Sequence, residues 1–264
     1  MPAFNSISAD RLMRLIGMPD VPALLDVRLP EDIATDPFLL PGARLMPHGD
    51  VESAAPALSG KRAIVICRSG KKLSEGAAAL LRLNGVEAEI LEGGSETWAA
   101  AGMPRVPIGI IPAGSLWVTR HRPKIDRIAC PWLIRRFVDP SARFLFVSPP
   151  EVQAVADRFG AEPFDVEGVF WSHRGDKCTF DTMVSEFGLS TPAMDRLATL
   201  VRAADTDRHD LAPQAAGLLA ISVGLSRLYR NDLDQLEAGI HLYDALYRWA
   251  RDGFEEGHDW PGNR

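Results

Sequence analysis

The 264-residue sequence predicts an α/β domain, a parallel sheet with helices on both faces, followed by a mainly α domain with a few strands. Three observations carry that prediction. Over the first hundred residues, short apolar β-type runs alternate with helically spaced segments, as in strand–helix–strand units. Residues 102–114 then crowd three prolines and three glycines, which suppress both helix and central strand and mark a linker. From residue 190 onward the pattern is almost wholly helical. The length itself argues for two domains, placed at 1–107 and 115–264.

Taken in order, residues 9–16 carry helical spacing and 23–27 read as a strand. Residues 63–67 and 88–91 read as further strands, and 74–84 as an amphipathic helix stopped by Gly85. Beyond the linker, 126–137 is helical in pattern and 143–147 is β-rich. Ser190-Thr191-Pro192 opens a helix to about Ala204, Pro213 opens another to Tyr229, and Asp232 a third ending near Gly253. In that last helix Leu236, Ile240, Tyr243, Leu246, Tyr247 and Phe254 recur at core spacing.

Composition narrows the class. With 46% apolar and 24% charged residues the chain reads as ordinary globular protein. Its longest apolar candidate, 215–223, is interrupted by Gly217 and Ser222 and falls short of the ~18 residues of a membrane span. Residues 1–5 have neither the basic start nor the apolar core of a secretory signal, so the expected location is the cytoplasm. Cys67, Cys130 and Cys178 are then expected as free thiols, each a candidate for chemistry. The net charge of −6 disfavours general nucleic-acid binding.

The strongest local signal lies at residues 63–78. An apolar strand ends at Cys67, the basic turn Arg68-Ser69-Gly70-Lys71-Lys72-Leu73 follows, and Ser74 begins a helix. Backbone N–H groups of such a turn converge on one point, where the helix dipole and the cations favour a thiolate or a bound oxyanion. Cys67 is thereby a candidate nucleophile. A buried, inert cysteine is the alternative, but a core position is rarely followed by so many cations.

These residues resemble the loop of single-domain rhodaneses. The resemblance extends over Leu24-Leu25-Asp26-Val27-Arg28, Pro41-Gly42-Ala43, Ala77-Ala78 and Leu80-Leu81. It continues through Leu91-Glu92-Gly93-Gly94, Trp98 and Gly102-Met103-Pro104, nearly all of residues 5–107. It implies a rhodanese-like sulfurtransferase in which Cys67 takes sulfane sulfur from a small-molecule donor such as thiosulfate, forms a persulfide, and passes sulfur to a thiophilic acceptor. Arg68, Ser69, Gly70, Lys71, Lys72, Leu73 and Ser74 would cradle the charge, with Asp26 and Arg28 contributing to the substrate site; no cofactor is required. The sequence departs from the family at Lys72, often Arg there, and at Leu39-Leu40 before Pro41. Phosphatases of the related fold need Arg six positions after the cysteine, where this chain has Leu73, so phosphoryl transfer is not expected.

A second motif lies at residues 117–136, which hold six basic residues against Asp126, a net of +5. Residues 117–137, with Phe144-Leu145-Phe146, residues 173–181 and residues 197–205, resemble the C-terminal domain of the chromate resistance protein B family. That implies a role in chromate resistance as enzyme, sensor or accessory. From the residues alone, Arg122, Lys124 and Arg127 precede a helix with Asp126 as its cap. They would point into one pocket for chromate or a similar oxyanion, or else form a solvated face or pair with the acidic stretch 237–259. Downstream, His173, Cys178, Asp181, Asp205, Asp207, His209 and Asp210 cluster in sequence. A divalent metal held by His173 and Asp205 is one reading. The other makes Asp181 a helix cap, Cys178 core and 205–210 a polar turn.

The expected function is therefore sulfur transfer through Cys67 linked to chromate resistance. The alternative is a chromate-responsive sensor or transcriptional regulator whose rhodanese domain does not catalyse. Membrane and nucleic-acid partners are not expected, and the oligomeric state stays open.

Overall fold

A computed structural model describes residues 5–257 and divides the chain into two units. The first comprises residues up to 115 with 133–143 and 187–189; the second comprises 116–132, 144–186 and the chain from 190. The ends of the sequence that entered the readings above, residues 1–4 and Asp259, lie outside the described residues.

The first unit runs β1 (Ser6–Ile7), α1 (Ala9–Met13), β2 (Ala23–Asp26), α2 (Pro30–Thr35), β3 (Phe38–Leu39), β4 (Ala43–Leu45) and α3 (Val51–Ala54). It continues through β5 (Arg62–Ile66), α4 (Lys72–Leu83), β6 (Glu87–Leu91), α5 (Gly94–Ala100) and β7 (Val106–Pro107). Five strands form a parallel sheet in the order β1-β6-β5-β2-β4, with Val65 of β5 in register with Leu25 and Ile90. The apolar β5 is central because Ala63 to Ile66 are buried on both faces, as inner parallel strands require. In such sheets ligands bind beyond the carboxyl ends of the strands, and Cys67 directly follows that end of β5.

Two expectations change here. Helix α4 begins at Lys72, not Ser74, which sits buried in its first turn. The Gly/Pro-rich stretch holds the short strand β7, antiparallel to β3; Pro107 is tolerated because the ladder is two residues long and at an edge.

The second unit runs β8 (Leu116–Arg120), α6 (Asp126–Leu133), β9 (Arg143–Val147), α7 (Val152–Phe159) and β10 (Glu162–Pro163). It ends with α8 (Thr179–Glu186), α9 (Pro192–Asp205), α10 (Ala215–Leu228) and α11 (Asp232–Arg248). A three-stranded sheet β10-β8-β9 lies among helices. Thr191 caps α9 as expected, its Oγ1 accepting from Met194 N at 3.2 Å. Helix α10 starts at Ala215, two residues after the expected opening at Pro213, and no helix among the described residues is long and apolar enough to cross a membrane.

Aromatic side chains fill this unit. Trp132 of α6 lies among Phe180, Tyr243 and Tyr247 at centroid distances of 5.6–6.3 Å, and its indole N–H donates to Asp244 at 2.9 Å. The helical spacing of the last helix placed Leu236, Ile240, Tyr243 and Tyr247 correctly in the core. Leu246 is half-buried. Phe254 is 45% exposed instead, because it lies beyond α11, where it meets Trp249 and the Arg196 guanidinium.

Candidate functional site

In the first unit Cys67 is 4% exposed and belongs to the buried core cluster, with its Sγ 3.1 Å from Ser74 Oγ. Ser74 Oγ also donates to Lys71 O, so the hydroxyl joins the cysteine to the first turn of α4. The loop is closed from outside by the turn after β6. Ser95 N donates to Cys67 O and Glu96 N to Arg68 O, both at 3.0 Å. At Gly94 (φ +61°) a Cβ would lie 2.2 Å from Cys67 O, and at Gly70 (φ +65°) 2.5 Å from Leu91 O. The Leu91-Glu92-Gly93-Gly94 motif therefore lets two backbones meet without side chains between them.

Among the described residues, no backbone N–H from Arg68 to Ser74 donates to an acceptor in the protein. These seven amides lie between a strand end and a helix start, where backbone N–H groups are free to meet an anion. Of the loop cations, Arg68 is tied to Glu96 at 2.7 Å and Asp32 at 3.4 Å. Lys71 and Lys72 are exposed and carry no ion pair among the described residues. Ser69, Gly70 and Leu73 are half-buried.

Asp26 and Arg28, expected at the substrate site, have a different task. Both are buried, and Arg28 Nε donates to both Asp26 oxygens at 2.9–3.0 Å while its Nη atoms hold Asp36 O and Phe38 O. Burial pushes the Asp26 carboxyl up and Arg28 opposes it. The pair braces the chain between β2 and β3 and leaves no free polar face for a ligand.

The second unit gathers a different set. His173 Nε2 lies 3.2 Å from Asp205 Oδ2, 3.5 Å from Asp165 Oδ1 and 3.6 Å from Asp126 Oδ2. Hydrogen bonding to Asp165, then to Asp205, raises the imidazole pKa to about 10 against the cost of burial. Burial, reinforced by Asp205 and Asp165, pushes Asp126 well above the usual carboxylate range. Ile125 and Asp165 adopt positive φ of 44° and 53°, strained for non-glycine residues. His173 and Asp165 border a cavity of about 550 Å³ walled also by Arg120, Glu167 and Ser172.

Several expectations for this region are corrected. Asp126 does not cap its own helix: its Oδ2 accepts from Thr179 N and Phe180 N at the start of α8. Arg122, Lys124 and Arg127 do not converge on one pocket. Arg122 donates to Tyr229 O and its backbone N–H to Asp232; Lys124 borders a narrow crevice with Ile128 and Leu225; Arg127 meets His121 O and Asp165. Positive φ at Arg122 and Ile125 turns the chain between these residues and sends them to separate partners. Asp181 does cap α8, accepting from Cys178 N, and Arg202 holds its other oxygen at 2.6 Å. Cys130 and Cys178 are fully buried, and burial pushes both thiols up, which removes them as nucleophiles.

His173 and Asp205 were singled out by residue type; Asp126 and Asp165 were not. Asp126 stood before an apolar helical run, the place of an ordinary cap, and Asp165 lies alone after a two-residue strand with no spacing to mark it.

The ChrB C-terminal domain model matches residues 117–250, half of the chain. The chain belongs to the ChrB C-terminal domain family. Its first part, residues 8–101, matches the rhodanese-like domain. Protein ChrB of Cupriavidus metallidurans is 34% identical over 135 residues, 51% of this chain and 40% of that protein. This ChrB-family chain thus spans less than half the length of that relative. Uncharacterized protein slr1261 of Synechocystis is 36% identical over 130 residues, 44% of this chain and 69% of that protein. Among solved structures, a rhodanese-related protein from Thermoplasma volcanium is 26% identical, covering 39% of this chain and 98% of its own, with a TM-score of 0.34. A thiosulfate sulfurtransferase from Pseudomonas aeruginosa is 25% identical, covering 41% and 20%, with a TM-score of 0.36.

Proposed function

We propose that this chromate-resistance-associated protein transfers sulfane sulfur through Cys67. The observation that carries the reading is the run of seven unpaired amides beside a cysteine at the end of the central strand. The Cys67 thiolate attacks the outer sulfur of thiosulfate, the S–S bond of the donor breaks, and sulfite leaves with the bonding electrons. A cysteine persulfide anion remains, its charge held by the loop amides. A thiophilic acceptor then attacks the terminal sulfur, and the thiolate returns. Lys71 and Lys72 draw the anionic donor to the loop. Ser74 Oγ, 3.1 Å from Sγ, keeps the sulfur oriented.

In the basic segment Arg120, Arg122, Arg127 and Arg135 each bond within the protein, which favours a structural role for them over a nucleic-acid surface. Thiosulfate:cyanide turnover tests the proposal. Wild-type protein is expected to turn over, and Cys67→Ser to lose at least a thousandfold, as expected for a nucleophile. Equal rates in the two proteins would contradict it, and a specific shift of DNA in the presence of chromate would favour the regulator.

A further inference from the structure

We propose that Asp126, His173 and Asp205 form a divalent-cation site in the second unit, separate from the chemistry of Cys67. Their donor atoms all lie within 4.8 Å of one another. Of the two contacts of His173 Nε2, 3.2 Å to Asp205 falls in the range of a shared ion and 3.6 Å to Asp126 lies slightly beyond it: donors about 2.1 Å from one metal stand roughly 3.0–3.4 Å apart. The three residues come from the start of α6, the loop before α8 and the end of α9, so the fold converges on this point from three distant segments.

A second, independent observation is the state of Asp126. Its side chain is completely buried, its Oδ1 has no hydrogen-bond partner, and His173 is its one ion-pair partner among the described residues. An unpartnered oxygen on a fully buried carboxylate is costly, and a cation held by Asp126 supplies the missing partner.

The surrounding charges show which carboxylates are available. Arg120 and Arg127 both reach Asp165, at 3.1 and 3.2 Å, and Thr179 Oγ1 donates to its other oxygen. Asp165 is therefore balanced and serves to position His173. Asp126 and Asp205 have His173 as their shared partner within ion-pair distance, with the Arg127 guanidinium acting on both from farther off. One imidazole with carboxylates selects Mn²⁺, Fe²⁺ or Zn²⁺ over Ca²⁺ and Mg²⁺. His173 is 42% exposed and borders the cavity of about 550 Å³, so an ion here is reachable from solvent and has room beside it for a small ligand.

The test is Mn²⁺ titration of chelator-treated full-length protein, followed by electron paramagnetic resonance. One Mn²⁺ per chain is expected, displaced by Zn²⁺, with nitrogen coupling from a single imidazole. His173→Gln and Asp205→Asn are expected to weaken binding about tenfold or more, while Asp207→Asn, on an exposed neighbouring side chain, leaves it unchanged. The wild-type spectrum decides the matter even if a variant fails to fold: bound Mn²⁺ without nitrogen coupling overturns the assignment. So does the absence of saturable binding, which would show that the carboxylates, arginines and protonated His173 form a closed ion-pair network.

Discussion

Replacing Gly94 by alanine would place a methyl group 2.2 Å from Cys67 O and 2.6 Å from Arg68 O, at a φ that L-residues avoid. Neither carbonyl can move without carrying the cysteine loop with it. The expected result is a loss of about 1–3 kcal/mol in stability and a fall in thiosulfate turnover, measured together by thermal unfolding and assay. Asp139 gives a pH-dependent case. Burial raises its carboxyl, but hydrogen bonds from Ser141 and Ser115 outweigh that and hold it below its ordinary value. Because the folded value is depressed, its contribution is fully present above the unfolded value near 4 and disappears as pH falls through the folded one. Asp139→Asn is expected to destabilise by about 1–3 kcal/mol at neutral pH, with the difference from wild type shrinking below about pH 4 in urea titrations. At this scale the sequence revealed residue type better than residue duty. The strand end, turn and helix start around Cys67 were legible because an apolar run gives way there to a basic, glycine-containing turn. The Asp26–Arg28 brace was not, since two charges two residues apart look the same whether they face a ligand or each other.

Helix termini show what patterns of a few residues can specify. The Thr191-Pro192 start of α9 was readable because the cap is a local bond between residues three apart. Thr191→Ala should cost about 1 kcal/mol, visible as a lower urea midpoint in helical circular dichroism; an unchanged midpoint would mean that the Oγ1 bond contributes nothing. The role of Asp126 was not readable, because the helix it caps begins 53 residues later and no spacing rule links the two. Likewise no spacing in the sequence links Trp132 to its partners, and only the tertiary fold places it among Phe180, Tyr243 and Tyr247. Trp132→Ala is expected to cost about 3–5 kcal/mol, from lost burial and the cavity left behind, and to lower the melting temperature clearly. A change within error would show that the second unit does not depend on this cluster.

For the whole molecule, the alternation of strand and helix followed by a helical half was enough to read the order of the two folds, since each depends on periodicity repeated over many residues. In the metal-like cluster His173 and Asp205 were legible by residue type, whereas Asp126 joined them only through long-range convergence in the fold. Sulfur transfer in the first unit and cation binding in the second have separate tests, and either can fail alone. In the proposed reaction the loop after β5 holds a negatively charged sulfur species on Cys67. Intact-mass and peptide mass spectrometry after incubation with thiosulfate addresses it directly. A gain of about 32 Da, one sulfur atom, located on the Cys67 peptide and removed by cyanide is the expected result; an unmodified Cys67 peptide in folded protein would contradict it.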